Sequence, residues 1–212
     1  VKGVGEANMR AIVAEREAHG PYKDISDFIH RTDIKQINRR QLEQLIKAGA
    51  FDCLEKNRGR LFANVETIMR HIASSSELKT SEQASLFGNE ELHAKVKLAD
   101  KPDWPELEKL KLEAEAIGFY LSAHPLDSYG RGMERLGVKN CSEIFRNIRT
   151  GDSIRAKVAG CVNSFQKRIS KTGNKYAFLE LSDASGSFEG ILFSEGLARY
   201  EEIIASGLPL FA

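Results

Sequence analysis

Apolar residues recur every three or four positions through much of the first 117 residues, which is the spacing of an amphipathic helix. The pattern predicts helices around Phe28, before Gly49 and over residues 60–73. Between residues 73 and 103 the pattern disappears into serine, asparagine, glutamine, glutamate and lysine, so we expect a flexible segment there. Another helix follows Asp103, which is a predicted N-cap.

Beyond residue 150 apolar and polar residues alternate, which is typical of strands with one buried face. The alternation predicts strands over 154–162, 176–181 and 188–193, then a helix, and a fourth strand that opens at Leu208. Three meandering strands, a helix and a further strand suit a small OB-type β-barrel that is incomplete at its end. The predicted fold class is therefore multi-domain α plus β, with an all-helical N-terminal region ahead of the barrel.

Composition narrows the classes of protein but does not name a partner. The 31 basic and 30 acidic residues nearly cancel, so any anionic partner has to be recognised by a local patch. The three cysteines and five histidines are scattered, which argues against a zinc ribbon or disulfide scaffold, and we predict no metal site. No apolar run reaches membrane-spanning length and no signal-like segment begins the sequence, so we expect a cytoplasmic protein without membrane contacts. Because Val1 begins in mid-pattern and Pro209–Ala212 ends in an interrupted strand, we interpret the chain as a piece of a longer protein.

The sequence begins with two glycines in Val1-Lys2-Gly3-Val4-Gly5, directly before a helix. Such glycines allow a tight turn whose amides and helix dipole suit a phosphate oxygen. The pattern fits the hairpin of a helix-hairpin-helix unit, which grips the DNA backbone without reading bases. The alternative is an ordinary turn between helices.

A second turn, from Lys35 to Gln41, also leads into a helix. Residues 31–60 contain eight basic residues (31, 35, 39, 40, 47, 56, 58, 60) against four acidic ones (33, 43, 52, 55), which is a modest basic patch. A single lysine or arginine there is more often just a solvated surface residue. The candidates for duplex binding are Lys2, Gly3, Val4, Gly5, Arg39, Arg40 and Lys47.

The predicted barrel has its own basic stretch, with six basic residues and no acidic one between Ile154 and Tyr176. Cations along a backbone path and flat side chains for stacking are what single-strand binding requires. The alternatives are aromatic side chains that point into the barrel and an OB domain that contacts only proteins. The candidates for single-strand binding are Lys157, Phe165, Lys167, Arg168, Lys171, Lys175 and Tyr176.

The pentapeptide Gln83-Ala84-Ser85-Leu86-Phe87 places two apolar residues in an otherwise polar segment. Such a pair suits an anchor that enters a partner's apolar pocket, although a chance loop would look the same. No serine–histidine–aspartate set, HExxH or GxSxG motif is present, so we predict no catalytic residue. His124 is interpreted as a packed or turn-stabilising residue.

Two longer segments resemble one known family. Gly118–Asp127 (GFYLSAHPLD) and Ile37–Asp52 are similar to the catalytic alpha subunit of the bacterial replicative DNA polymerase III, a C-family enzyme. The resemblance extends over essentially the whole chain and implies the following parts: a tandem helix-hairpin-helix region, a clamp-binding segment, a helical connector and a truncated OB domain, over residues 1–74, 75–103, 104–150 and 151–212.

The resemblance also implies a function. Residues 83–87 would bind the beta sliding clamp, the glycine turn would hold duplex phosphates, and the OB domain would lie near single-stranded template. Other replicase holoenzyme subunits would be partners as well. The polymerase aspartates and their Mg²⁺ would lie in the longer protein, so no cofactor is expected here and the piece alone should be inactive. An accessory protein of DNA repair or recombination with the same modules, and a pure interaction scaffold, are the alternatives.

Overall fold

The computed structural model describes residues 1–80, 95–149 and 153–212, which form two compact units, Val1–Leu121 and Ser122–Ala212. The first is helical and the second contains an antiparallel sheet, as the predicted α plus β class requires. The structure divides the chain at Leu121, not near residue 150. The reason is that the predicted connector bonds to the sheet: the Cys141 amide donates to Asp183 at 2.6 Å.

The described residues of the first unit form six α-helices: α1 Glu6–His19, α2 Ile25–Arg31, α3 Arg39–Lys47, α4 Arg58–Ala63, α5 Val65–Thr80 and α6 Glu106–Ile117. Their shared core is formed by apolar side chains of α2 to α5, among them Phe28, Ile29, Leu42, Leu61 and Ile72. Each fully buried side chain of this kind stabilises the fold by about 1.5–3 kcal/mol. The core confirms the helical periodicity of the sequence.

Helix α1 is attached differently, because none of its residues is buried. The Arg31 guanidinium donates to Glu15 at 2.7 Å, to Asp27 at 3.1 Å and to the Gly20 carbonyl at 2.8 Å, and it stacks 4.3 Å from the Tyr22 ring centre. Charged and bidentate hydrogen bonds of this kind are stronger than neutral ones. An arginine cluster therefore ties α1 to α2.

The predicted segment 75–103 is ordered at both ends. Helix α5 continues to Thr80 because Ser76 bonds to the Ile72 carbonyl and accepts the Ile34 amide. At the other end, Asn64 exchanges two hydrogen bonds of 2.9 Å with the Ala99 backbone, and it also separates α4 from α5 where one helix was predicted. The predicted anchor, residues 83–87, lies outside the described residues.

Asp103 does not cap α6, contrary to the prediction. Pro105 occupies the N-cap position, and the Asp103 carboxylate accepts the Gly59 amide at 3.0 Å and pairs with Lys109. Its pKa is lowered by the Lys109 hydrogen bond and by backbone amides, against the opposing effect of burial. Asp103 thus fastens the chain before α6 to α4.

The second unit contains a 3-10 helix Pro125–Tyr129, α7 Gly130–Leu136, α8 Cys141–Asn147, β1 Ala159–Ile169, β2 Lys175–Asp183, β3 Gly186–Leu192, α9 Ser194–Ala205 and β4 Leu210–Phe211. The strand order is β3-β2-β1-β4, with every neighbouring pair antiparallel. Within the described residues the sheet stays open, so the barrel is incomplete, as predicted. An apolar groove of about 670 Å³ lies between α9 and the sheet.

The first strand begins at Ala159 and not at Ile154. The short β4 pairs with β1 at Ala159 and Gly160, and Val158 exchanges two backbone hydrogen bonds of 2.9 Å with Ala212, which follows β4. Ile154 is 52% exposed, whereas Ala159 and Cys161 are buried. The alternation from residue 154 was therefore a wrong indicator of where the strand starts.

Candidate nucleic-acid interface

The glycine turn at the start of the chain is held against the end of α6. The Lys2 amide donates to the Ala116 carbonyl at 2.7 Å, and Gly3 has a φ of +73°, a region that favours glycine. Gly5 is the N-cap of α1 and offers no side-chain acceptor to the first-turn amides. The positive end of α1 is thus uncovered at the surface, since Gly5 and the next two residues are exposed.

The beginning of α3 lies beside this turn. The Arg40 Nε is 3.8 Å from where a Cβ on Gly3 would be, and the Gln41 Nε2 is 3.6 Å from a Cβ on Gly5. Asn38 caps α3 through a reciprocal pair of hydrogen bonds with Gln41. Two helix N-termini, an arginine and a glycine turn therefore meet at one place, and all of them favour an anion.

The predicted duplex-binding cations divide into two groups. Lys2 and Arg40 have no acidic partner in the part of the chain that the structure describes. Arg39 instead pairs with Glu43 and Glu66, at 2.8 and 2.7 Å, and the Glu43 hydrogen bond raises its pKa. Arg40 therefore lies beside the turn, whereas Arg39 is engaged in ion pairs with two carboxylates.

Lys47 is also engaged elsewhere. Its ammonium lies 3.7 Å from Glu115 and 5.8 Å from the Phe62 ring centre, and its side chain is only 20% exposed.

Among the acidic residues, Glu6 is in the first turn of α1, where it bonds to Arg10 at 2.6 Å. Glu6 therefore places a carboxylate at the N-terminus of α1, next to the glycine turn.

The predicted single-strand residues are divided between the two faces of the sheet. Since Phe165 is opposite Leu179 and Arg168 is opposite Tyr176, the alternation of side chains puts Phe165 and Lys167 on one face and Arg168 and Tyr176 on the other. Lys167 pairs with Glu201 of α9. The predicted set is thus not a single surface.

One face does combine a cation with aromatic rings. The Arg168 guanidinium is 5.0 Å from the Phe178 ring centre, and the Tyr176 ring meets Phe178 edge-on at 5.5 Å. Of the remaining candidates, Lys157 donates to the Leu136 carbonyl at 3.1 Å, while Lys171 and Lys175 are exposed at the β1–β2 turn. The Arg168 face is the part of the sheet that suits stacked bases.

His124 is a structural residue, which confirms its interpretation from the sequence. Its Nδ1 accepts the Leu126 amide at 3.2 Å, so the ring proton is on Nε2, 3.3 Å from the Ser182 hydroxyl. Burial lowers its pKa and keeps the ring neutral. His124 connects the 3-10 helix to β2.

Comparison with known proteins identifies the family. The helix-hairpin-helix motif model matches residues 1–61. DNA polymerase III subunit alpha of Caulobacter vibrioides is 31% identical over 207 residues, which cover 98% of this chain and 18% of that protein. The same subunit of Vibrio cholerae is 34% identical, over 95% of this chain and 17% of that protein. The subunit of Neisseria meningitidis is 36% identical, over 89% of this chain and 16% of that protein. This chain belongs to the DNA polymerase III alpha-subunit family. It spans under a fifth of the length of these relatives.

Within this alpha-subunit segment, the described residues contain no group of three or more histidine, cysteine, aspartate or glutamate side chains that would hold a metal ion. The Mg²⁺ that the resemblance implies for the longer polymerase therefore finds no ligand cluster of that size among the residues that the structure describes. None of the described helices is long and apolar enough to span a membrane.

Gln41 lies at this interface of the alpha-subunit segment but was not among the predicted site residues. This residue is 6% exposed and contacts both Asn38 and Asn8, at 3.1 and 3.4 Å. The spacing of Asn38 and Gln41 is that of a capping box, and this signal was available in the sequence. Its approach to Gly5 depends on how α1 and α3 pack, which the local sequence does not encode.

Proposed function

We propose that this segment is the DNA-binding part of a bacterial replicative polymerase, and that the glycine turn with the start of α3 holds duplex phosphates. The observation that carries the proposal is Arg40, a cation without a partner in the described residues, beside the Gly3–Gly5 turn. Amides and a guanidinium contact phosphate oxygens equally well on any sequence. The complex is therefore independent of base sequence.

The test is fluorescence anisotropy of the full chain with two labelled duplexes of unrelated sequence, over a range of salt concentrations. Both duplexes should bind equally, and log K should fall linearly with log salt. Arg40→Ala should weaken binding and reduce the slope by about 0.9, because one phosphate contact is lost. Lys23→Ala is the matched control, since this exposed lysine follows the far end of α1. A salt-independent affinity would refute the proposal.

For the sheet, we propose that single-stranded template stacks on the face that carries Arg168, Tyr176 and Phe178. The support is the cation–aromatic arrangement on this face. Phe178→Ala should weaken binding of a labelled oligothymidine by about 5- to 150-fold, the effect of about 1–3 kcal/mol per stacked base. Lys167→Ala, on the opposite face, is the control. Equal losses in both variants would exclude this face.

For the clamp, we propose that residues 83–87 dock on the sliding clamp through Leu86 and Phe87. The support is the sequence pattern and the family. The full chain should bind an immobilised bacterial clamp, and the double variant Leu86→Ala/Phe87→Ala should lose this binding, since apolar anchors carry most of the affinity. Unchanged binding by the double variant would contradict the proposal.

In this proposal the longer protein is a Mg²⁺-dependent DNA-directed DNA polymerase of the cytoplasm, assembled with other replicase subunits. The present chain supplies contacts to DNA and has no polymerase activity alone. Primer extension by the isolated chain would overturn that division of roles.

A further inference from the structure

The orientation of the Gln41 carboxamide is fixed by its neighbours. Its oxygen accepts the Asn38 backbone amide at 3.1 Å and the Asn8 side-chain amide at 3.4 Å. A backbone N–H can only donate, so the oxygen has to face Asn38 and the nitrogen has to face the other way.

The Gln41 nitrogen faces the N-terminus of α1. It lies 3.6 Å from where a Cβ on Gly5 would be, and it has no hydrogen-bond partner in residues 1–80, 95–149 and 153–212. The residue as a whole is more than nine-tenths buried, at 6% exposure. A donor that is held in a fixed orientation beside an uncapped helix end, with no acceptor among the described residues, is available to an acceptor that binds there.

We propose that Gln41 is a phosphate-contacting residue, whose carboxamide N–H and the first-turn amides of α1 hold the same backbone phosphate. This inference rests on the proposed duplex binding. Arg40, one residue earlier, approaches the turn at Gly3, so the two neighbours have different tasks. Arg40 contributes charge, while Gln41 contributes a neutral, fixed donor that helps to position the phosphate on the α1 axis.

This division of tasks has a measurable consequence. A charged contact releases counterions and contributes to the salt dependence of binding, whereas a neutral donor contributes affinity alone. Removing the Gln41 donor should therefore weaken binding at every salt concentration without changing the slope.

Gly5→Ala tests this without a change of charge. Gly5 has a φ of −74°, which alanine adopts readily, and the added methyl would be in ordinary contact with the Gln41 nitrogen. It should cover the donor and lower duplex affinity about three- to tenfold, the value of one neutral hydrogen bond, with an unchanged salt slope. Arg40→Ala, in contrast, should reduce the slope.

Gln41→Glu separates binding from folding. Glutamate keeps the oxygen that accepts the Asn38 amide, so the capping box and the melting temperature are preserved, but the donor is lost and a carboxylate faces the phosphate. Binding should fall more than tenfold. Gln44→Glu, one turn further along α3, adds the same charge and should lower duplex affinity about twofold.

Asn38→Ala weakens the cap of α3 but keeps the Gln41 side chain, and should bind duplex within about twofold of wild type.

The outcomes are distinct. The role of Gln41 would be overturned if Gly5→Ala bound duplex as tightly as wild type and if Gln41→Glu and Gln44→Glu lost equal affinity. The proposal of duplex binding would still stand in that case. A parallel loss in Asn38→Ala would assign Gln41 to folding alone. A wild-type chain that does not bind duplex would overturn both proposals.

Discussion

At the scale of single residues, Gly49 and Arg58 depend on each other. Arg58 is buried and donates to Asp52 at 2.6 Å, to the Lys47 carbonyl at 3.2 Å and to Glu113 at 3.2 Å. Burial of an arginine is tolerated only when its donors are satisfied in this way. A Cβ on Gly49 would be 2.2 Å from the guanidinium nitrogen Nη2, so the glycine leaves the space that the cation fills.

Gly49→Ala should therefore destabilise the first unit by about 1–3 kcal/mol, through overpacking and through the φ of +75° at this position. Urea denaturation followed by circular dichroism measures the change. Gly132→Ala is the matched control, because a Cβ there meets nothing within 4 Å and helix α7 gains about 0.5–1 kcal/mol. Equal stability of the two variants would contradict the role of Gly49.

Glu6 provides a second test at this scale. Its exposed carboxylate, in the first turn of α1, repels the phosphate that the turn is proposed to hold. Glu6→Gln should raise duplex affinity about two- to threefold at low salt, an effect that disappears as screening increases. An unchanged or lower affinity at low salt would argue against phosphate binding at α1.

At the scale of elements, the arginine cluster determines how firmly α1 is held. Hydrogen bonding to Arg31, followed by its charge, lowers the pKa of Glu15 in spite of burial. A lowered carboxylate pKa means that the stabilisation is complete above the ordinary value near 4.5 and is lost as the pH falls through the folded value. Arg31→Lys keeps the charge but loses the fork-like geometry.

We therefore expect Arg31→Lys to speed amide exchange in α1 about tenfold, while amides of the buried α2–α5 core exchange as in wild type. Hydrogen exchange with mass spectrometry separates the two regions. Lys23→Arg serves as the control for a basic substitution nearby. Uniform acceleration of α1 and the core would show that the cluster stabilises the whole unit instead.

In the second unit His124 gives a pH dependence of the same sign as Glu15, but at a higher pH. Burial lowers its pKa, so the unfolded chain binds a proton near pH 6.5 that the folded ring resists. The stabilisation is complete above that pH and is lost as the pH falls through it. The melting temperature should drop between pH 7.5 and 5.5, while His124→Asn, whose amide oxygen still accepts the Leu126 amide, should flatten this dependence. An equally steep drop in the variant would exclude His124.

Sequence patterns predicted the elements better than the surfaces. Helices with one apolar face were predictable because burial fixes the period of their apolar residues. The glycine turn was predictable because few other residues adopt its backbone conformation. The pairing of Arg39 with Glu66 and of Lys47 with Glu115 was not, because these partners are far apart in the chain. The two faces of the sheet likewise depend on the register of β1 and β2, which is set by tertiary packing.

At the scale of the whole molecule, the net charge of +1 leaves recognition to separate local sites. If the turn at α1 and the Arg168 face act together, a substrate with duplex and a single-stranded overhang should bind at least tenfold more tightly than blunt duplex, through effective concentration. Phe178→Ala should remove this gain but leave blunt-duplex affinity unchanged. Equal affinity for both substrates would show that the sites do not cooperate.

The two ends of the segment between Thr80 and Lys95 are both fastened to the helical unit, one by α5 and the other by Asn64 and Ser26. Fourteen residues, 81–94, connect these two ends, and a chain of that length spans at most roughly 50 Å when fully extended. A protein bound to Leu86 and Phe87 would therefore be held at a limited distance from the helical unit. It would stay within about 25 Å of the anchoring points, close to whatever DNA the helical unit holds.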